Sequence, residues 1–305
     1  MAKKIVIFGA TGLIGKRLSH ALIERGDEVI VFTRSPHKAK ILIPGAKEYI
    51  SWNENYLNWK HHLDNLDAVI HLAGENVLAR RWNKKQKNLI RQSRITSTRT
   101  IVSAIAEVER KPEVFVCASA VGYYGTSESK GFDEYSPAGN DFLSGVTVEW
   151  ENEAKRAEDL GIRYAGIRTG IVLSKDGGAL TRMLLPFKLF IGGPLGDGKQ
   201  WFPWIHIDDV TGIYLHVIDN PGVNGVLNGA APEQLVMKEF CRMLGKVLHR
   251  PSYLNVPKFA LKILFGEGAD MLIKGTKVNP KRTIESGYKF KFDNAESALK
   301  NLLKY

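Results

Sequence analysis

Cysteine is nearly absent: the 305 residues hold only Cys117 and Cys241. Two thiols so far apart, in unrelated settings, give neither a disulfide framework nor a zinc site. Each reads as a small buried apolar residue. The histidines, His61-His62 included, lack partners at metal-ligand spacing, so no metal is expected. Nor does any stretch approach the ~18 apolar residues that span a bilayer. Lys3-Lys4 before an apolar run imitates a secretory signal. Glycines break that run, however, no clear small-residue cleavage site follows, and it flows into a charged helix. A cytoplasmic protein with no membrane partner is therefore expected. Internal repeats and low-complexity segments are missing too.

Acidic residues are in short supply. Lys and Arg number 43 against 32 Asp and Glu, a formal net charge of +11. Basic residues crowd Arg80-Arg-Trp-Asn-Lys-Lys-Gln-Lys87, then Arg91, Arg94 and Arg99, with a second group at Lys274, Lys277, Lys281 and Arg282. Such clusters can mark nucleic acid. No aromatic-basic interleaving or nucleic-acid module accompanies them, so nucleic acid is not the expected partner. A solvated helix face, or attraction of an anionic cofactor and substrate, accounts for the charge. At 44% hydrophobic and 25% charged the chain is globular, with length for a nucleotide-binding core and a substrate lobe.

What is present begins at the first strand. An apolar run, Ile5-Val-Ile-Phe8, ends in glycines spaced three apart at Gly9, Gly12 and Gly15. An amphipathic segment from Leu13 to Arg25 follows at once. Strand, glycine turn and helix in this order make the phosphate-binding corner of a dinucleotide fold. Gly9 allows the tight turn, Gly12 lets backbone approach a pyrophosphate, and Gly15 lets helix pack on strand. The helix N-terminus then offers free N–H groups and partial positive charge to an anion. A plain βα turn without a ligand is the alternative.

One further absence selects the cofactor. The second strand of such a fold usually ends, about 20 residues past the last glycine, in an acid for the ribose 2′-hydroxyl. Here Glu28-Val-Ile-Val-Phe-Thr33 ends in Thr33-Arg34, with no acid. A guanidinium suits a 2′-phosphate because its planar fork donates two hydrogen bonds. Arg34 therefore argues for NADP(H) over NAD(H), against the reading of an ordinary exposed arginine.

Strands and helices then alternate. A helix is expected near Trp59 to Leu66 and a strand over Asp67–Leu72, ending in Ala73-Gly74. A long helix over Lys84–Arg110 precedes a strand over Glu113–Cys117. Next come a helix near Phe142–Leu160 and a strand over Arg163–Ile167. Later amphipathic stretches are Leu235–Leu248 and Phe259–Phe265. The expected fold class is α/β: a Rossmann-type doubly wound parallel sheet with a smaller C-terminal substrate lobe. Residues 1–176 form the nucleotide-binding domain, with later segments returning to it, and residues 177–305 the lobe. Ligands belong at the carboxyl ends of the strands.

These residues carry a family resemblance. Gly9-Ala-Thr-Gly-Leu-Ile-Gly15, His71-Leu-Ala-Gly74, Ser119 to Tyr124-Gly125 and Trp204-Ile-His-Ile-Asp-Asp209 resemble extended short-chain dehydrogenase/reductases of the epimerase/dehydratase group. More closely, the whole chain resembles an atypical epimerase-like subfamily with a C-terminal domain of unknown function. Its marks are His71–Asn76, Arg81-Trp-Asn83, Ser93-Arg94, Gly192-Gly-Pro194, Phe202–His206 and Asn228-Gly-Ala-Ala-Pro232. Val256-Pro-Lys-Phe-Ala-Leu, Phe265-Gly-Glu267 and Val278-Asn-Pro-Lys-Arg282 resemble the tail domain, at about 250–300. The resemblance implies NADP(H) binding. Gly9, Thr11, Gly12 and Ile14 would meet the pyrophosphate, Gly15 would support the corner, and Thr33 and Arg34 would lie at the 2′-phosphate. Leu72 and Ala73 would line the adenosine-to-ribose path, Arg94 would reach phosphates or ribose, and Val172 would approach the nicotinamide.

Catalysis departs from that pattern. The wider superfamily pairs a Ser or Thr with Tyr-x-x-x-Lys on the next helix, the lysine lowering the tyrosine's pKa. Here that helix reads Asp141-Phe-Leu-Ser-Gly-Val-Thr-Val-Glu-Trp-Glu151, with neither residue in place. The serine position falls on Ser119 or on Ala120. Candidate catalytic groups are then Ser119, Tyr124 and His206, the last expected to face the pocket and shuttle a proton. Glu75, Asn76, Tyr123 and Trp204 are candidate substrate-binding residues, although Glu75 and Asn76 also suit helix capping. Two functions follow. One is an NADP(H)-dependent, nucleotide-sugar-epimerase-like oxidoreductase acting on a small polar or carbonyl substrate. The other is a non-catalytic NADP(H)-sensing regulator. An exposed Phe259-Leu261-Leu264-Phe265 face would point to a homodimer.

Overall fold

The structure is a computed structural model that describes residues 2–52 and 55–304. Seven parallel strands form the central sheet: β1 (Lys4–Phe8), β2 (Glu28–Thr33), β3 (Glu48–Ser51), β4 (Ala68–His71), β5 (Val114–Ala120), β7 (Arg163–Thr169) and β10 (Gly225–Gly229). Their spatial order is β10-β7-β5-β4-β1-β2-β3. The order reverses between β1 and β4, and that switch point opens the crevice where a doubly wound sheet receives its ligand. Four short strands stand outside it. β8 (Ile171–Ser174) pairs with β9 (Trp204–His206), and β6 (Gly131–Phe132) with β11 (Lys277–Val278).

The strands are apolar on both faces because helices cover both. In β1, Ile5 and Ile7 enter one core, and Val6 and Phe8 enter the other. Helices α1 (Leu13–Glu24) and α6 (Ile207–Asp219) close the first side, tied by Arg17 to Asp208 at 2.8 Å. Helices α3 (Lys84–Ala106) and α4 (Phe142–Lys155) cover the second. Both begin at side-chain caps: Asn83 accepts from the Gln86 N–H, and Asp141 from that of Ser144, each at 2.9 Å. Helix α2 (Pro36–Leu42) joins β2 to β3.

The lobe adds α5 (Gly178–Lys188), α7 (Met237–Leu248), α8 (Lys258–Phe265), α9 (Asp270–Ile273), α10 (Lys281–Glu285) and α11 (Ala295–Leu303). Within residues 177–305, α6 and β10 return to the main sheet. The tail is anchored by the buried Asp209 carboxylate, which accepts from Lys291 N (2.7 Å), Phe292 N (3.0 Å) and the Tyr288 hydroxyl (3.0 Å). Phe259, Ile263 and Leu264 are exposed, whereas Leu261 is buried and Phe265 half-buried, so the expected apolar face is only partly open.

Local differences from the sequence reading have plain causes. The helix expected near Trp59 is two 3₁₀ turns, Tyr56–Asn58 and Lys60–Leu63. Asn65, at φ 54°, ends that segment in the left-handed region, and β4 starts too soon for a longer helix. Cys117 and Cys241 are buried free thiols, and burial pushes Cys241 up to about 12.

Candidate functional site

The glycine corner forms where β1 meets the end of β4. Gly9 has φ +80°, and a Cβ there would sit 2.6 Å from Ala73 N and 2.7 Å from the Leu72 carbonyl carbon. A Cβ on Gly15 would lie 2.4 Å from the Gly9 carbonyl oxygen, so this glycine is what lets α1 pack on β1. The bare face of Gly12 is less crowded: a Cβ there would meet one atom, the Gly9 carbonyl oxygen, at a tight 3.3 Å. Gly12 is the N-cap of α1 with no side-chain cap, and no acid occupies the first turn. The N–H groups of that turn therefore face outward with the helix's partial positive charge. Thr11 and Gly12 are exposed there, with Ile14 half-buried beside them.

At the end of β2, Thr33 Oγ1 accepts from Ser35 N at 3.2 Å. Arg34 is exposed. Among the described residues no hydrogen bond or ion pair engages its guanidinium. Arg94 is committed elsewhere: it donates to Ile90 O (3.0 Å) and Glu75 O (3.1 Å) and faces the Trp150 ring at 5.2 Å. Burial lowers its pKa to about 10, partly offset by Glu75. It braces the loop after β4 from below, beside Gly74, instead of standing free for a phosphate. His71 lies under the same loop, fully buried, and burial holds it down to about 3, a neutral imidazole.

The ends of β5 and β7 are arranged differently. Ser119, 5% exposed, donates to Glu151 Oε1 at 2.5 Å. Arg168 grips the same carboxylate bidentately, with Nε and Nη2 both at 2.8 Å. Its Nη1 donates to the Tyr124 hydroxyl at 3.0 Å, which donates to Asn228 Oδ1 at 2.8 Å. Asn228 completes the chain through Asn279 O at 2.9 Å. The guanidinium also lies 3.2 Å from the Tyr123 ring centroid. Burial opposes the charge on Arg168, but the Glu151 hydrogen bonds and charge win, and its pKa rises.

Three catalytic candidates thus move from cleft to interior. Tyr124 is 2% exposed, its hydroxyl partnered twice, and burial raises its pKa to about 12. Ser119 serves Glu151, which leaves Ala120 at the strand end. His206 is fully buried: its Nδ1 accepts from Asp208 N at 3.0 Å, capping α6, and its ring stacks on Phe292 at 3.9 Å. Burial lowers it to about 4 despite Asp208. The expectation that His206 faces the pocket fails because both faces of the short strand β9 are covered. Trp204 is core for the same reason, not pocket wall. Tyr123 stacks on Arg168. Asn76 accepts from Leu78 N at 2.9 Å, a turn cap, and half-buried Glu75 lends its backbone to Arg94 and Ser93. Half-buried Val172 lies in β8, beside the cleft wall at Ile171.

That cleft, of about 720 Å³, opens between the β5 and β7 ends and the tail. Its apolar walls include Trp82, Phe142, Trp201 and Met271. The sequence reading missed it, and gave no role to Glu151 or Arg168. A charged residue following the buried run Tyr164–Ile167 in β7 was the available signal for the latter. Among the described residues no group of His, Cys, Asp or Glu is arranged to hold a metal, and no helix is long and apolar enough to cross a membrane.

Residues 5–228 match the NAD dependent epimerase/dehydratase family, and residues 256–302 match a domain of unknown function, DUF1731. The chain belongs to the NAD-dependent epimerase/dehydratase family. Among relatives, the chloroplastic Epimerase family protein SDR39U1 homolog of Arabidopsis thaliana is 44% identical, covering 98% of this chain and 86% of that protein. Epimerase family protein YfhF of Bacillus subtilis is 36% identical, covering 98% and 97%. A crystal structure of human SDR39U1 with NADPH superposes with a TM-score of 0.91 at 37% identity, covering 99% of each chain. A nucleoside-diphosphate sugar epimerase from Corynebacterium glutamicum gives 0.78 at 30% identity, covering 99% of this chain and 58% of that one. Helix α4 of this epimerase-family chain holds no Tyr-x-x-x-Lys pair.

Proposed function

We propose that this chain binds NADP(H) at the glycine corner and works as an oxidoreductase or epimerase-like enzyme on a small polar or carbonyl substrate admitted by the cleft. The unengaged Arg34, at the end of a strand that lacks the usual acid, carries the cofactor choice. The fit is sterically specific: Gly9 and Gly15 are filled by backbone, whereas Gly12 and the α1 N-terminus are left open. The human relative's NADPH supports the same choice. When bound, the nicotinamide supplies a hydride acceptor or donor. Gly12, Thr11 and Ile14 would hold the pyrophosphate, with Gly9 and Gly15 shaping its seat. Thr33 and Arg34 would hold the 2′-phosphate, Leu72 and Ala73 the adenosine-to-ribose path, and Val172 the nicotinamide end through its backbone. Arg94 supports the loop that carries Leu72 and Ala73.

Titration with NADPH and NADH, followed by reduced nicotinamide fluorescence, tests the assignment. NADPH should bind selectively, and Arg34→Ala should weaken it by about 2 kcal/mol, some thirtyfold. Absence of binding by either nucleotide removes the reading. A second reading, an NADP(H)-sensing regulator, draws on one observation: the Ser119 and Tyr124 hydroxyls are both spent inside the fold. NADPH oxidation over a panel of aldehydes, ketones and quinones separates the two. Turnover supports the enzyme, and tight binding without turnover supports the sensor.

A further inference from the structure

Two sequence marks that the cofactor does not use come together in space. Trp82 N donates to Phe265 O at 3.2 Å, and the Trp82 indole donates to Val77 O at 2.7 Å. The same ring fills the space a Cβ on Gly268 would need, at 2.8 Å. Gly266, at φ +62°, has the Arg81 side chain on its bare face, with Cγ and Nε both 3.1 Å from where a Cβ would stand. Arg81-Trp-Asn83 and Phe265-Gly-Glu267 are thus one contact between the α3 approach and the tail, and it sets Arg81 at the cleft. The N–H of Gly266 caps α8 onto the Lys262 carbonyl, and Lys262 lines the same cleft as Arg81.

The other charges of the cleft are spent. Lys87 pairs with Glu267, and Lys274 pairs with Asp270 at 2.6 Å. Asp141 caps α4. Among the described residues no carboxylate or carbonyl accepts a hydrogen bond from the Arg81 or Lys262 side chain, and neither forms an ion pair. Two uncommitted cations lining a cleft with aromatic walls select for one kind of occupant. We infer that the cleft takes an organic anion with an apolar body, a carboxylate or phosphate ester, whose charge is bound by Arg81 and Lys262. This rests on reading the cleft as the substrate site. The apolar body is desolvated against Trp82, Phe142 and Trp201, and the Arg81 fork, its stem packed on Gly266, donates two hydrogen bonds to the anion.

The test uses the full chain and three probe acids: 4-phenylbutanoate, indole-3-butanoate and 1-naphthylacetate. Each is paired with its neutral amide and titrated by calorimetry. Every carboxylate should bind at least about tenfold tighter than its amide. Arg81→Gln should abolish that preference, and Lys262→Gln should reduce it. Both positions are exposed, and an unchanged melting midpoint verifies folding. Equal affinity of acid and amide, no binding of any acid, or a preference that survives Arg81→Gln overturns the inference. NADPH titrated in parallel keeps the two readings apart. Failure of the acids with NADPH bound normally removes only this inference, and failure of NADPH removes the cofactor assignment whatever the acids do.

Discussion

Two stretches of one sheet edge handle their polar groups in opposite ways. At the β1–β4 crevice the first N–H groups of α1 and the Arg34 guanidinium are left open. At the β5–β7 ends Ser119, Glu151, Arg168, Tyr124 and Asn228 satisfy one another in the interior. Leaving a buried polar group unpaired costs more than a hydrogen bond returns, so a closed chain of this kind is architecture. An exposed donor without a protein partner is hydrated and can exchange that water for a ligand. The difference teaches that residue type at a strand end does not separate catalytic group from strut; the partner does.

The sharpest way to break this comparison is Glu151→Ala, which strands the buried Arg168 charge. A loss of about 3–5 kcal/mol in denaturant unfolding is expected, with NADPH affinity unchanged while the protein is folded. A stable variant with altered NADPH affinity would move the network into the binding site. Gly9→Ala tests the open side. Its positive φ and the contact with Ala73 should cost about 1–3 kcal/mol in stability, and NADPH binding should fall with it. Tyr124→Phe keeps the ring and removes one hydroxyl that serves two partners. Unfolding should be easier by about 1–2 kcal/mol, and any turnover should persist, since the hydroxyl does not face the cleft. Loss of turnover without loss of stability would return Tyr124 to catalysis.

The most gradual effect is a pH dependence that touches both regions. His71 behind the corner and His206 behind the lobe are held at about 3 and about 4, against 6.5 for the free side chain. The unfolded chain therefore binds more protons than the native one below pH 6.5, and stability falls as pH drops from there towards about 4. At pH 5.5 each histidine should cost about 1.4 kcal/mol. Urea midpoints from pH 7.5 to 5 should show the slope, and His206→Gln should flatten about half of it.

The legible parts were those with local causes. Gly9, Gly12 and Gly15, the buried run Ile5–Phe8 and the amphipathic helix after them each follow from backbone sterics and periodicity within a few residues. The strand at Glu48–Ser51 escaped notice, being a short, half-buried edge without a continuous apolar run. His206 and Trp204 were misplaced because their phase was read against a single covered face, and β9 is covered on both.

By itself, then, the sequence determined the fold class, the position of the phosphate corner and the absence of a Tyr-x-x-x-Lys pair. Each is written in neighbouring residues, where the chain's own geometry leaves few choices. Tertiary structure alone decided that Ser119 meets Glu151, 32 positions away, and that Gly266 lies against Arg81. Such partners are set by how helices dock on the sheet and how the tail folds back. Nothing within one turn or one strand encodes which side chain will be left without a partner.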